Sequence, residues 1–305
     1  MKLKMVELLK GRVAVALSGG ATKIAFMAGV LLALVGMGLM PSVFIGTSSG
    51  SILALFAAMG RFDLIREYMP IYTLKLIFGK DISKKAVSLL GLKSLLKRGY
   101  MYEYEGLEKL IRGLISKEDL LDYQRNEDAP LCFIHIASDN DLSERHIDIK
   151  NCSYETMVSS VIASCSIPFF VPRRKVEGVK AYDGGLINHI ASEWLVEAHS
   201  LEFDSLISIY SRTNRIQDYK KDEPIFKGWS FKRLIYKAER LFLIKNIVNS
   251  FNNFEKTQTE CDARDIAHVA FFAPDVLQKS TFETSKEGNL EMFEKGQRAV
   301  KERYD

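Results

Sequence analysis

Cysteine is sparse in this 305-residue chain: Cys132, Cys152, Cys165 and Cys261 are the four, and they are widely scattered. No CxxC pair and no Cys/His cluster has metal-ligand spacing, which excludes a disulfide scaffold and a zinc ribbon or finger. Reduced thiols and a cytoplasmic setting, with peripheral contact at the inner face of a membrane, are the expectation, with no metal and no cofactor. Proline is also scarce, at seven. Proline/glycine linkers, repeats and low-complexity tracts are absent, so one large domain fits the length. No strong charge imbalance exists: 42 basic against 38 acidic residues leave +4, too little for a nucleic-acid footprint. An acidic loop with EF-hand spacing is missing, so calcium dependence is not expected. Glu7, Lys10 and Arg12 interrupt any leading apolar run, so no signal peptide is expected. Most conspicuously, no Asp, Glu, Lys or Arg occurs between Lys23 and Arg61. A membrane span would give such a run. So would the buried core of an α/β protein, whose strands are covered on both faces. Gly29, Gly36, Gly38, Pro41, Gly46 and Gly50 break the run into helix, strand, helix, which favours the second reading.

What is present begins with that core. Residues 13–17 read as a buried strand ending in Ser18-Gly19-Gly20-Ala21-Thr22-Lys23, followed by an apolar helix over about 24–35. Residues 43–47 are a second strand, and an apolar helix runs on to about Ala58. Strand, glycine-rich turn, helix, strand is a βαβ unit. Residues 61–125 are expected to be a helical insertion. Strands follow at 131–137 and 145–149, then a helix over about 154–163. Ser166 to Pro172 is expected to be extended, because residues before proline avoid the α region. A hairpin turns at Glu177-Gly178, a helix covers 194–198, and a strand covers 206–210. A helical segment from about 226 to 251, a strand at 269–272 and a helix over 290–302 close the chain.

The chemistry centres on Gly46-Thr47-Ser48-Ser49-Gly50, the G-x-S-x-G pattern of a nucleophile elbow. A serine that attacks a carbonyl must stand clear of its own backbone. A sharp strand-to-helix turn projects its hydroxyl into solvent, at the positive end of the following helix. Glycines two residues before and after let the chain pass without Cβ clashes. The nucleophile needs a base and an oxyanion hole. The turn Gly19-Gly20-Ala21 could offer backbone N–H groups for the hole. For the base, Asp183 in Asp183-Gly184-Gly185 sits on what reads as an exposed, flexible turn. His189, His199 and His268 stand where the chain order Ser, Asp, His of an α/β-hydrolase would put a triad base. Against that order, only one strand precedes the elbow strand. His135 and His146 lie in strands and read as packed or surface histidines.

Taken together, Ser18-Gly19-Gly20-Ala21-Thr22-Lys23, Gly46 to Gly50, Ser166-Ile167-Pro168 and Asp183-Gly184-Gly185, in that order and spacing, resemble the patatin-like phospholipase family. The resemblance runs from about Val13 to Ser211. It implies a three-layer α/β/α fold with a mostly parallel central sheet and the elbow after the second strand. It implies a patatin-like core over 1–211, with residues 212–305 adding a basic helical segment, a closing strand and a helix to the same domain. It implies a Ser48–Asp183 dyad that cleaves lipid esters through an acyl-enzyme, with Gly19, Gly20 and Ala21 as the oxyanion hole. Lys23, Gly46, Gly50, Gly184 and Gly185 would support these motifs. The chain departs from the family pattern at Ala21 and Ile24, where glycines are usual, and at Ser49, where alanine is common. If residue 21 needs a positive φ, alanine costs about 1 kcal/mol.

Two basic segments bear on the substrate. Residues 80–98 hold six Lys/Arg and one Asp, and residues 220–245 hold eight Lys/Arg and three acids, each with interleaved apolar residues. One reading makes 80–98 and 226–245 a docking face for anionic phospholipid membranes. The other makes them ordinary helices, solvated on one side. Three functions are therefore in play: a phospholipid or lipid-ester hydrolase, a catalytically weak relative that docks on a membrane or partner, and a carboxylesterase with a histidine base.

Overall fold

The structure, a computed structural model, describes residues 9, 11–20, 23–71, 93–198, 200–212, 248–249, 251–274 and 285–304. In chain order the elements are β1 (Val13–Leu17), α1 (Ile24–Gly36), β2 (Val43–Thr47), α2 (Ser49–Ala58), α3 (Phe62–Tyr68), α4 (Glu105–Leu114) and α5 (Lys117–Arg125). There follow β3 (Leu131–Ser138), β4 (Glu144–Asp148), α6 (Tyr154–Ser164), β5 (Arg174–Val176), β6 (Val179–Asp183), α7 (Ser192–Glu197), β7 (Ser205–Tyr210), β8 (Ala267–Phe272) and α8 (Lys286–Tyr304). A helical turn at 93–98, a helix at 251–263 and short 3-10 turns at Met69–Ile71, Ile149–Asn151 and Gly184–Leu186 are also present. Ala21, Thr22, His199, residues 80–92 and the segment 226–245 lie outside the described residues.

All eight strands form one mixed, mostly parallel sheet in the order β5-β6-β3-β2-β1-β7-β8, with β4 also paired to β3. β3, β2, β1, β7 and β8 are mutually parallel; β4, β5 and β6 join through antiparallel pairings. The central strands read as continuous apolar runs because both faces are covered. Val15 and Leu17 face one apolar cluster, built with α1, α2, α6 and α8. Ala14 and Ala16 face the other, which includes Leu195 and Val196 of α7. This alternation makes three layers, helix on sheet on helix. The charge-free run is accounted for here. α1 has 13 residues and α2 has 10, both buried in the core, whereas a span needs about 20. No described helix is long and apolar enough to cross a membrane.

Strand register fixes the site. A strand has only two edges, yet β3 has three partners. Phe133–His135 pair with β2 and β4 at once, and Ile136–Ala137 pair with β4 and β6 at once. β2 and β6 must therefore share one edge of β3, end to end. Thr47 pairs with His135 and Asp183 with Ile136, so the residue before Ser48 and Asp183 are consecutive along that edge.

One local expectation fails. Residues 166–172 are not extended throughout, because Pro168 starts a tight turn. Phe170 N–H donates to the Ile167 carbonyl at 3.2 Å, and Phe169 has φ +66°. Proline's fixed φ suits the second position of such a turn, and the third then needs a positive φ. Phe169 meets that need without being glycine, and its ring is 68% exposed.

Candidate active site

Ser48 ends β2 and caps α2 with φ +53° and ψ −128°, a conformation that costs a non-glycine residue strain. The surroundings hold it there. Its N–H donates to Ser164 Oγ at 2.8 Å, and its carbonyl accepts from both Ser51 N–H and Ser51 Oγ. Gly46 and Gly50 are required by close approach. A Cβ on Gly50 would lie 2.5 Å from the Leu17 and Ser18 carbonyl oxygens, and one on Gly46 would strike the Gly50–Ser51 backbone. The hydroxyl is not in open solvent as expected; Ser48 is only 7% exposed.

Asp183 closes β6 and starts a single 3-10 turn at Gly184–Leu186. The expected exposed turn is in fact buried, with Asp183 3% exposed, because β6 runs into the sheet beside β2. Its N–H donates to the Ser166 carbonyl at 3.0 Å, so the Ser166-Ile167-Pro168 segment anchors it. Oδ1 accepts from Gly185 N–H at 2.8 Å, and the Ser48 side chain lies beside the carboxylate and favours its charged form. Burial pushes the Asp183 carboxyl up to about 7, and these two neighbours only partly offset it.

The glycine-rich turn differs from the expectation in one respect. Gly19 N–H donates to the His189 carbonyl at 2.9 Å, so that donor is already committed. Gly19 has a packing role instead, since a Cβ there would meet Ser48 Cβ at 3.2 Å and the His189 ring at 3.3 Å. Among the described residues, Gly20 N–H meets no acceptor. Ala21 lies outside them. Ser49 N–H, the donor that follows the nucleophile in an elbow, opens α2. Ser211 ties the turn to the end of β7: its N–H donates to Ser18 Oγ and its hydroxyl to the Gly19 carbonyl. Lys23 and Arg212 are both buried near His189. Burial first, then these two cations, hold its imidazole well below the usual histidine range.

The candidate histidine bases separate clearly. His268 lies on β8, two strands beyond β1, with Nε2 on Ser208 Oγ and Nδ1 on Gln258. His199 lies outside the described residues. His189 is the one near Ser48, with Gly19 packed between them, whereas the Ser48 side chain bears on the Asp183 carboxylate. Sequence reading missed Ser164, which accepts from Ser48 N–H and donates to the His135 carbonyl at 2.7 Å. Its only signal is its place at the end of α6, just ahead of Ser166-Ile167-Pro168. Arg212 was missed too, and nothing local marks it.

Comparison with known proteins adds the following. Among solved structures, VipD from Legionella pneumophila is similar, with a TM-score of 0.48 and 14% identity, over 95% of this chain and 66% of that one. No curated protein matches the chain. The family model described as patatin-like phospholipase matches residues 15–192, more than half of the chain and inclusive of the elbow, the Ser-Ile-Pro segment and Asp183-Gly184-Gly185. By that match, the chain belongs to the patatin-like phospholipase family.

Proposed function

We propose that the protein is a lipid acyl hydrolase that cleaves phospholipid or related lipid esters with a Ser48–Asp183 dyad. The observation that carries this reading is the Ser48 side chain lying beside a buried Asp183 carboxylate, with the backbone of an elbow around it. Ser48 Oγ attacks the acyl carbonyl and its proton passes to Asp183. The oxyanion is met by Gly20 N–H and Ser49 N–H at the positive end of α2, with Lys23 and Arg212 adding positive potential. Collapse releases the alcohol, which takes the proton back from Asp183, and leaves an acyl group on Ser48. A water deprotonated by Asp183 then frees the fatty acid. The basic segments 80–98 and 226–245 supply the contact with anionic membrane, and their composition is the support for it. A second reading, the catalytically weak relative, is favoured by one observation: the Gly19 donor is spent on His189.

A fluorophosphonate probe and phospholipid vesicles together test this. The expected result is label on the Ser48 peptide and fatty-acid release, both lost in Ser48→Ala. Absence of label and of release in the wild-type protein would support the weak relative instead.

A further inference from the structure

Behind the elbow, β3 and β4 bring three metal-ligating side chains to one point. His135 and His146 are directly opposite in the antiparallel ladder. Glu144 is two residues from His146 and so on the same face of β4. Their ligand atoms all lie within 4.8 Å of one another. Glu144 Oε2 is 3.8 Å from His135 Nε2 and 3.6 Å from His146 Nε2.

These separations are too long for hydrogen bonds. Both Nε2 atoms are buried and, among the described residues, neither has a partner. His135 is fully buried and the His146 side chain is 8% exposed. Two buried nitrogens aimed at a carboxylate they do not reach leave room for something between them. Four-coordinate zinc, with bonds of 2.0–2.2 Å, sets neighbouring ligands about 3.4 Å apart, so each Glu144–imidazole pair needs only a few tenths of an ångström of closure, with the two imidazoles drawing in from within 4.8 Å. We infer that His135 Nε2, His146 Nε2 and Glu144 bind one Zn²⁺ ion, a site separate from the Ser48 chemistry.

The surroundings fit that ion. His135 Nδ1 is 3.0 Å from Thr47 Oγ1, a hydroxyl able to accept a hydrogen bond from Nδ1–H when the Nε2 lone pair binds metal. His146 stacks on Trp194 with ring centroids 4.0 Å apart. Asn188 lies beside the Glu144 carboxylate and favours its charged form. Glu193 and Glu197 lie near Glu144, with Lys256 paired to both, so the neighbourhood carries excess negative charge. A surface cleft lined by Glu144, His146 and Trp194 gives an entry path and a place for a water as fourth ligand. Two imidazoles and one carboxylate suit zinc better than the hard cations magnesium and calcium. Such a site would clamp the β3–β4 hairpin and, through Thr47, back the elbow.

The test uses the full chain without an affinity tag, stripped with chelator and then titrated with Zn²⁺. One equivalent is expected to bind and to survive desalting, and a hundredfold excess over Kd raises Tm by about 5 °C. His146→Ala and Glu144→Gln should each weaken binding at least about 100-fold, whereas His268→Ala should not. X-ray absorption on the wild-type zinc form needs no variant, and should show two imidazole nitrogens at about 2.0 Å. Less than a tenth of an equivalent retained, undiminished binding in both variants, or a shell without two imidazoles would overturn the site.

Discussion

Asp183 and His189 are both buried beside Ser48, and burial moves their proton affinities in opposite directions. The carboxyl rises to about 7 and the imidazole falls well below its usual range, so each tends toward its neutral form. Neighbours then separate them. Asp183 has the Ser48 side chain beside it and accepts from Gly185 N–H, both of which favour its charged form. His189 faces Lys23 and Arg212, which oppose a charge on it, and Gly19 packs between its ring and Ser48. Desolvation alone would make either group a candidate base. In the proposed dyad, hydrogen bonding and local charge favour Asp183 for that role and leave His189 a neutral wall whose carbonyl holds Gly19.

The largest expected effect removes the favoured partner. Asp183→Asn keeps the shape but not the proton acceptor, and should lower kcat/KM on a lipid ester about 1,000-fold. Near-normal turnover in this variant would erase the distinction between the two groups. The same variant reports on stability. Because the folded carboxyl is raised above its ordinary value, its contribution is fully present below about pH 4 and is lost as pH rises through about 7. Denaturant unfolding at both ends of that range should therefore show Asp183→Asn gaining on wild type by a few kcal/mol, at about 1.4 kcal/mol per pH unit. A gap that does not change with pH would mean that Asp183 is not desolvated. Ser164→Ala comes next. It strips the acceptor from Ser48 N–H and should cost about 1–3 kcal/mol of stability, with lost activity as the strained elbow relaxes. Full stability and full kcat together would show that the elbow holds itself. The smallest effect is assigned to His189→Gln, less than about threefold in kcat/KM, since the proposed mechanism passes no step through the ring. A loss like that of Asp183→Asn would restore the histidine base.

The parts legible in the sequence were the ones written locally. Gly46 to Gly50 is a strand-turn-helix pattern, and Asp183-Gly184-Gly185 and Ser166-Ile167-Pro168 mark short turns whose spacing names a family. What the sequence did not show depends on register. That β2 and β6 meet end to end along β3 follows from strand pairing, and it turns an apparently exposed Asp183 into a buried one. The commitment of Gly19 to the His189 carbonyl joins residues 170 positions apart in the chain. The same holds for His135, Glu144 and His146. Read one strand at a time they are isolated histidines, and only the antiparallel pairing sets them face to face. The turn at Phe169 was hidden because two prolines four residues apart argue for extended chain, while a single φ of +66° reverses it.

The pH dependence of kcat/KM for fatty-acid release, measured in wild type and in His189→Gln, tests the central assignment most directly. If Asp183 is the base, activity in both rises with pH through a single inflection near 7, as the raised carboxyl ionises. An inflection near 4, or one near 7 that disappears in His189→Gln, would contradict the dyad.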